Sequence, residues 1–262
     1  MPTKIPLAYR DWGGPDPKIL FLHGFLANQQ VWDPLIEHLK HRCRPLTVDL
    51  LGFGASSHPH STYDIPTQVE SLHHWIQSLH LPPLILVGHS FGGWVAAAYA
   101  IAHPHHLQAL ILLAPAGIRD DHFAGRYRRL LPLLWDSPWV DRFLDWGSPI
   151  AALLGQSHPW HKLKQFRHHL NRQPLARQFL RQRQRPEAAT DTVEGSLAEI
   201  TAPTLVIAAE QDDTIPLWHC QTYANGIPKA QLQILAGAGH PLPEYPAALA
   251  PLILSFVDSL GS

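Results

Sequence analysis

Two cysteines are all that 262 residues contain, Cys43 and Cys220, and they stand in segments of unlike type. Neither a disulfide framework nor a zinc site is expected from them. Charge of neither sign is in excess: the formal net charge is -1, which gives no reason to expect nucleic acid or an anionic membrane as the main partner. No apolar run reaches membrane-spanning length, and the N-terminal MPTKIPLAYRDWGG lacks the apolar centre of a signal peptide. Integral membrane insertion is therefore not expected, and a soluble cytoplasmic protein is. Internal repeats and low-complexity tracts are missing as well. Histidine is abundant at 19 residues, yet clusters such as His73/His74 and His168/His169 have no carboxylate or cysteine at metal-ligand spacing, so no metal is expected. What the chain does have is apolar side chains, at 45 %, enough for one sizeable core at this length.

The stretch around which the rest is organised runs from Leu84 to Tyr99, LILVGHSFGGWVAAAY. Leu84 to Val87 read as a buried strand, and Trp94 to Ala100 as a buried helix. Between them lies Gly88-His89-Ser90-Phe91-Gly92. A strand turning straight into a helix strains the residue at its tip, and side chains two positions either side would collide there, which leaves those positions to glycine. The tip residue is Ser90. Its hydroxyl is expected above the sheet edge at the start of a helix, where the backbone favours developing negative charge.

On either side the chain alternates strands with helices. Leu7–Trp12 is an expected edge strand. Buried strands are expected at Ile19–Leu22, Pro45–Val48, Ala109–Leu113, Thr204–Ala208 and Gln231–Leu235, and Asn28 is expected to cap a helix with Val31, Leu35, Ile36 and Leu39 on its apolar face. Helices are also expected near Thr67–His80 and Ala247–Leu260. Such alternation implies an α/β fold, a mostly parallel sheet flanked by helices. From Ile118 to about Ala198 the texture changes to helical periodicity rich in arginine and tryptophan, with no convincing strand. The expected division is therefore a core domain of residues 1–117 and 199–262, with a helical cap at 118–198 inserted after one strand.

A serine hydroxyl is a poor nucleophile until an imidazole takes its proton, and the imidazole works best when a carboxylate orients it. Asp212 follows the Thr204–Ala208 strand, and His240 follows the Gln231–Leu235 strand within Gly237-Ala238-Gly239-His240-Pro241. Both strand ends fall on the edge of the sheet where Ser90 is expected. The chain order is serine, aspartate, histidine, an order associated with one fold.

The sequence resembles the α/β-hydrolase fold superfamily over nearly the whole chain apart from the cap. The resemblance is carried by His23-Gly24-Phe25, Gly88-His89-Ser90-Phe91-Gly92, the Asp212 turn and Gly239-His240, with Asp49-Leu50-Leu51-Gly52-Phe53-Gly54-Ala55-Ser56 matching a loop that shapes the site. It implies Ser90 as nucleophile, His240 as general base and later acid, Asp212 as the residue orienting the imidazole, and the backbone N–H groups of Phe25 and Phe91 as the oxyanion hole. Asp213 is the neighbouring rival to Asp212, and Asp120 and Asp121 stand where some members carry the acid. Members that open epoxides or displace halide carry aspartate at the elbow, so Ser90 leaves acyl chemistry, cleavage of a carbon–carbon bond next to a ketone, or a lyase step. His23-Gly24-Phe25-Leu26 and the arginine-bearing cap look like the menaquinone-pathway lyase. That subfamily has tyrosine before the serine and a carboxylate-binding arginine past the glycine pair, where this chain has His89 and Trp94.

The expected activity is thus hydrolysis of an ester or related acyl bond of a small, largely apolar substrate, without a cofactor. The alternatives are the C–C hydrolase or lyase, and a non-catalytic binding protein. Trp135, Trp139, Trp146 and Trp160 of the cap are expected to pack against the main domain, or else to line an acyl pocket. The cations between His161 and Arg185 are expected on a solvated helix face, with an anion-binding patch as the other possibility. Cys220 is expected to pack in the core. Composition does not speak to the oligomeric state.

Overall fold

The computed structural model describes residues 7–56, 64–120, 128–182 and 190–261. The chain divides into two compact units, one of Met1–Arg119 with Asp191–Ser262 and the other of Asp120–Thr190.

The first unit is built on seven strands: β1 (Tyr9–Asp11), β2 (Lys18–Leu22), β3 (Arg44–Val48), β4 (Leu84–His89), β5 (Leu107–Leu113), β6 (Thr204–Ala209) and β7 (Ala230–Leu235). They lie in the order β1-β3-β2-β4-β5-β6-β7, with β1 antiparallel at the edge and every other pairing parallel. The central strands are apolar on both faces because helices cover both. Side chains two apart point the same way, so Ile19, Phe21, Ile85, Val87, Ile111 and Leu113 form one face of the core. Against it pack Leu35, Ile36 and Leu39 of α1 (Asp33–Leu39), and Leu249, Ile253 and Phe256 of α8 (Pro246–Ser259). Helix α3 (Phe91–Ala102) lies on β4 and β5, with α2 (Ile65–Ser78) beside it. Helix α7 (Leu217–Gly226) follows β6. Cys220 is buried on it, and burial pushes its thiol up to about 12.

One local expectation is corrected. Asn28 does accept from the Gln30 N–H at 2.9 Å, but the turn it caps, Gln29–Trp32, is a 3₁₀ helix. The α-helix begins only at Asp33, because Pro34 has no N–H to give and belongs in a first turn.

Residues 191–198 belong with the sheet unit. The Val193 N–H donates to the Gly117 carbonyl at 2.9 Å, and the Trp94 indole N–H to the Asp191 carbonyl at 3.0 Å.

The second unit holds α4 (Pro138–Leu153), α5 (Ser157–Arg172) and α6 (Pro174–Gln182), and among its described residues there is no strand. Arg167 ties it together. Its guanidinium donates to both carboxylate oxygens of Asp141 at 3.0 and 2.8 Å and to the carbonyls of Leu133, Trp135 and Ser137. A buried cation is tolerable because its donors are met in this way. Arg177 pairs with Asp136 and Lys164 with Asp145. The solvated-face expectation therefore holds only for part of this basic stretch. Trp135, Trp139 and Trp160 line a cavity within this unit together with Leu133, Phe143 and Leu163, and Trp135, Trp139 and Trp146 are exposed.

Candidate active site

Parallel strands bring their carboxyl ends to one edge of the sheet, and loops leaving that edge collect there. β2 leads into His23-Gly24-Phe25, β4 into Ser90, β6 into the Asp212 turn and β7 into the His240 loop. The four segments picked out by the sequence therefore meet.

Ser90 stands between β4 and α3 at φ 53°, ψ −113°, a backbone conformation costly for a side-chain-bearing residue. Neighbours hold it there. Its N–H donates to the Leu113 carbonyl at 2.9 Å, and its own carbonyl accepts from Trp94 at 3.1 Å and Ala116 at 3.0 Å. A Cβ on Gly88 would strike the Gly92 backbone, and one on Gly92 the carbonyls of Leu22 and His23. The sharp turn therefore requires glycine at both places.

Behind Ser90 the side chains form a line. The Ser90 Oγ lies 3.0 Å from His240 Nε2, and His240 Nδ1 lies 2.8 Å from Asp212 Oδ2. The Asp212 side chain is almost fully enclosed. Its other oxygen accepts the N–H groups of Thr214 and Ile215, each at 2.8 Å. Burial works against its charge, but the hydrogen bond and charge of His240 and the Ile215 and Thr214 N–H groups outweigh that and hold the carboxyl below its usual range. Asp213 is exposed and accepts from the Thr214 hydroxyl at 3.2 Å. Asp120 is buried in the helical unit, and Asp121 lies outside the described residues.

Phe91 is the first residue of α3, so its N–H sits in the first turn at the positive end of the helix. Gly24, just before Phe25, lies against the elbow: a Cβ built there would stand 3.0 Å from the His89 ring and 3.5 Å from Ser90 Cβ. The rings of Phe25, Phe53 and Phe91 meet pairwise with centroids 5.7 Å apart. They make an aromatic wall on this edge.

Two buried histidines do supporting work that sequence reasoning missed. His23 Nε2 accepts the Leu50 N–H at 3.0 Å, which leaves the proton on Nδ1, donated to the Gly24 carbonyl at 2.8 Å. His89 Nε2 donates to the His240 carbonyl at 2.9 Å and so tethers the loop carrying that residue. Burial lowers the pKa of both, that of His89 to about 3, and each stays a neutral strut. Asp49 is structural in the same sense: its carboxylate accepts the Gln29 and Ala55 N–H groups at 2.7 and 2.9 Å. Trp94, past the glycine pair, is buried and fixed through its indole to Asp191, so the place of a carboxylate-binding arginine holds a neutral ring.

A serine at a helix N-terminus, hydrogen-bonded to an imidazole that is itself hydrogen-bonded to a buried carboxylate, can carry out acyl transfer. Comparison with known proteins agrees on the family. A profile of the alpha/beta hydrolase fold matches residues 17–245. Monoacylglycerol lipase abhd6-B of Xenopus laevis is 29% identical over 95% of this chain and 77% of its own length. Human monoacylglycerol lipase ABHD6 is 26% identical over 97% of this chain and 79% of its own. Among solved structures, a hydrolase from Pseudomonas aeruginosa shares 28% identity at a TM-score of 0.73, covering 96% of this chain and 94% of that one. A thermophilic esterase from Thermogutta terrifontis is alike in fold, with a TM-score of 0.75 at 24% identity, covering 100% of this chain and 96% of that one. With its sheet order, its elbow and most of its length matched, the chain belongs to the alpha/beta hydrolase family and is a hydrolase enzyme.

Proposed function

We propose that this hydrolase cleaves an ester or related acyl bond of a small, largely apolar substrate through Ser90, His240 and Asp212. The observation that carries the reading is the line of hydrogen bonds from Ser90 Oγ through His240 to Asp212, at 3.0 and 2.8 Å. His240 Nε2 takes the serine proton as Oγ attacks the acyl carbon. Asp212, held as a carboxylate, stabilises the imidazolium that forms. The oxyanion of the tetrahedral intermediate is received by the N–H groups of Phe91 and Phe25, each worth about 3 kcal/mol in comparable sites. Collapse expels the alcohol, protonated by His240. Water activated by the same imidazole then releases the acid and restores Ser90.

The apolar character assigned to the substrate rests on the Phe25, Phe53 and Phe91 wall. The names of the Xenopus and human relatives put glycerol monoesters first among natural candidates to try. The test is a p-nitrophenyl ester series from acetate to laurate with the native protein and Ser90→Ala. Turnover peaking at one chain length, and lost by about 10⁶-fold in the variant, is the expected result. Undiminished turnover in Ser90→Ala would remove the nucleophile assignment.

A further inference from the structure

Helix α4 turns its most apolar side outward. Trp139, Phe143, Trp146, Ile150 and Leu153 recur at helical spacing and all are exposed, Trp146 by 71% and Leu153 by 87%. The side that is buried within the unit is another one, carrying Leu144 and Ala151. Such a stripe in water is costly unless something covers it. It also continues inward, because Trp139 and Phe143 help line a cavity of about 430 Å³ with Leu133, Trp160 and Leu163.

Charge says what the cover is. The net charge of the whole chain, -1, conceals a division. Between Asp120 and Thr190 stand twelve lysines and arginines against six acids, while the sheet unit has eight against fifteen. Ion pairs of Asp141 with Arg167, of Asp145 with Lys164 at 2.6 Å and of Asp136 with Arg177 take up one charge of each sign apiece and leave the cations in excess. At the edge of the stripe Arg142 lies 4.8 Å above the Trp139 ring. Two copies of this basic unit would repel one another on approach, whereas an anionic bilayer would attract it. Tryptophan and arginine beside one another suit the headgroup level. No helix among the described residues is long and apolar enough to cross a membrane, which fits a helix lying in the surface.

We infer that the α4 stripe is a docking face for an anionic lipid surface, with the helix lying in the headgroup plane. The inference does not require the Ser90 chemistry.

The test uses the full chain with phosphatidylcholine vesicles, with and without phosphatidylglycerol, read by co-sedimentation and by the blue shift of tryptophan emission. Binding should be strong only with phosphatidylglycerol and should weaken as salt rises. The double variant Trp146→Asp with Ile150→Asp should lose affinity by about tenfold or more while still hydrolysing a soluble short-chain ester at the native rate. Lys162→Glu with Arg172→Glu, both exposed on α5, should weaken binding to the anionic vesicles alone. Absence of binding to either vesicle, or equal binding by the aspartate variant, overturns the inference. So does a concentration-dependent dimer that the aspartate variant dissolves while vesicles leave it unaffected.

Discussion

Ile111 in the sheet unit is wholly buried between helices, while Ile150 on α4 is 62% exposed. The same contrast runs through both units. One is acidic and hides its apolar side chains around a site whose buried polar groups are met by backbone partners. The other is basic, shows its largest apolar residues to the outside and spends its buried arginine on holding its own turns. The difference separates two jobs: bond chemistry needs groups fixed before substrate arrives, whereas adhesion needs apolar surface left uncovered.

The largest way to break the comparison is at the site. Asp212→Asn keeps an oxygen for Thr214 and Ile215 but loses the charge opposite the imidazole. It should lower kcat by about 10⁴-fold with little change in KM, as read by ester hydrolysis. A variant of α4 should leave that number untouched, and a comparable loss there would mean that the division of labour is wrong.

Next in size is packing. Ile111→Ala should cost about 2–5 kcal/mol, because it empties a space that rigid neighbours cannot refill, and the shift of the urea midpoint measures it. A cost near zero would mean that β5 is not core.

A pH effect follows from the two buried histidines. His23 and His89 have folded pKa values below the ordinary 6.5, so below pH 6.5 the unfolded chain binds protons that the folded one refuses. Stability is then full above that pH and falls as pH drops, by about 1.4 kcal/mol per pH unit for His89 once well below it, with His23 adding in the same direction. Asp212 adds a loss in the same direction only below its ordinary value of 3.8. Urea titrations between pH 7 and 5 should show the decline, and His89→Gln should make it shallower; an unchanged slope would mean that His89 titrates freely.

Smallest is the partner of the isoleucine pair. Ile150→Ala should shift stability by no more than about 0.5 kcal/mol, since that side chain is largely solvated already. A loss of the size expected for Ile111 would show the stripe to be covered within the chain.

Much of this was legible in the sequence. Continuous apolar runs marked the parallel strands, and glycines two either side of Ser90 marked a turn that only they permit. The Asp212 and His240 positions followed from strand ends sharing one edge. Other parts were not legible. Nothing in Gly88-His89-Ser90 says that His89 reaches across to the His240 backbone, because that contact joins residues far apart in sequence. Phe53 comes to the elbow only through the folding of its loop. Helical periodicity marked the segment from Ile118 to about Ala198, but periodicity cannot tell an inward face from an outward one. The opposed charges of the two units were countable, yet they cancel in the total.

The most direct test of the central claim is labelling with a fluorophosphonate, followed by intact-mass spectrometry and peptide mapping. The account predicts a single adduct on Ser90, absent in Ser90→Ala and formed far more slowly in Asp212→Asn. No adduct, or one on another residue, would contradict it.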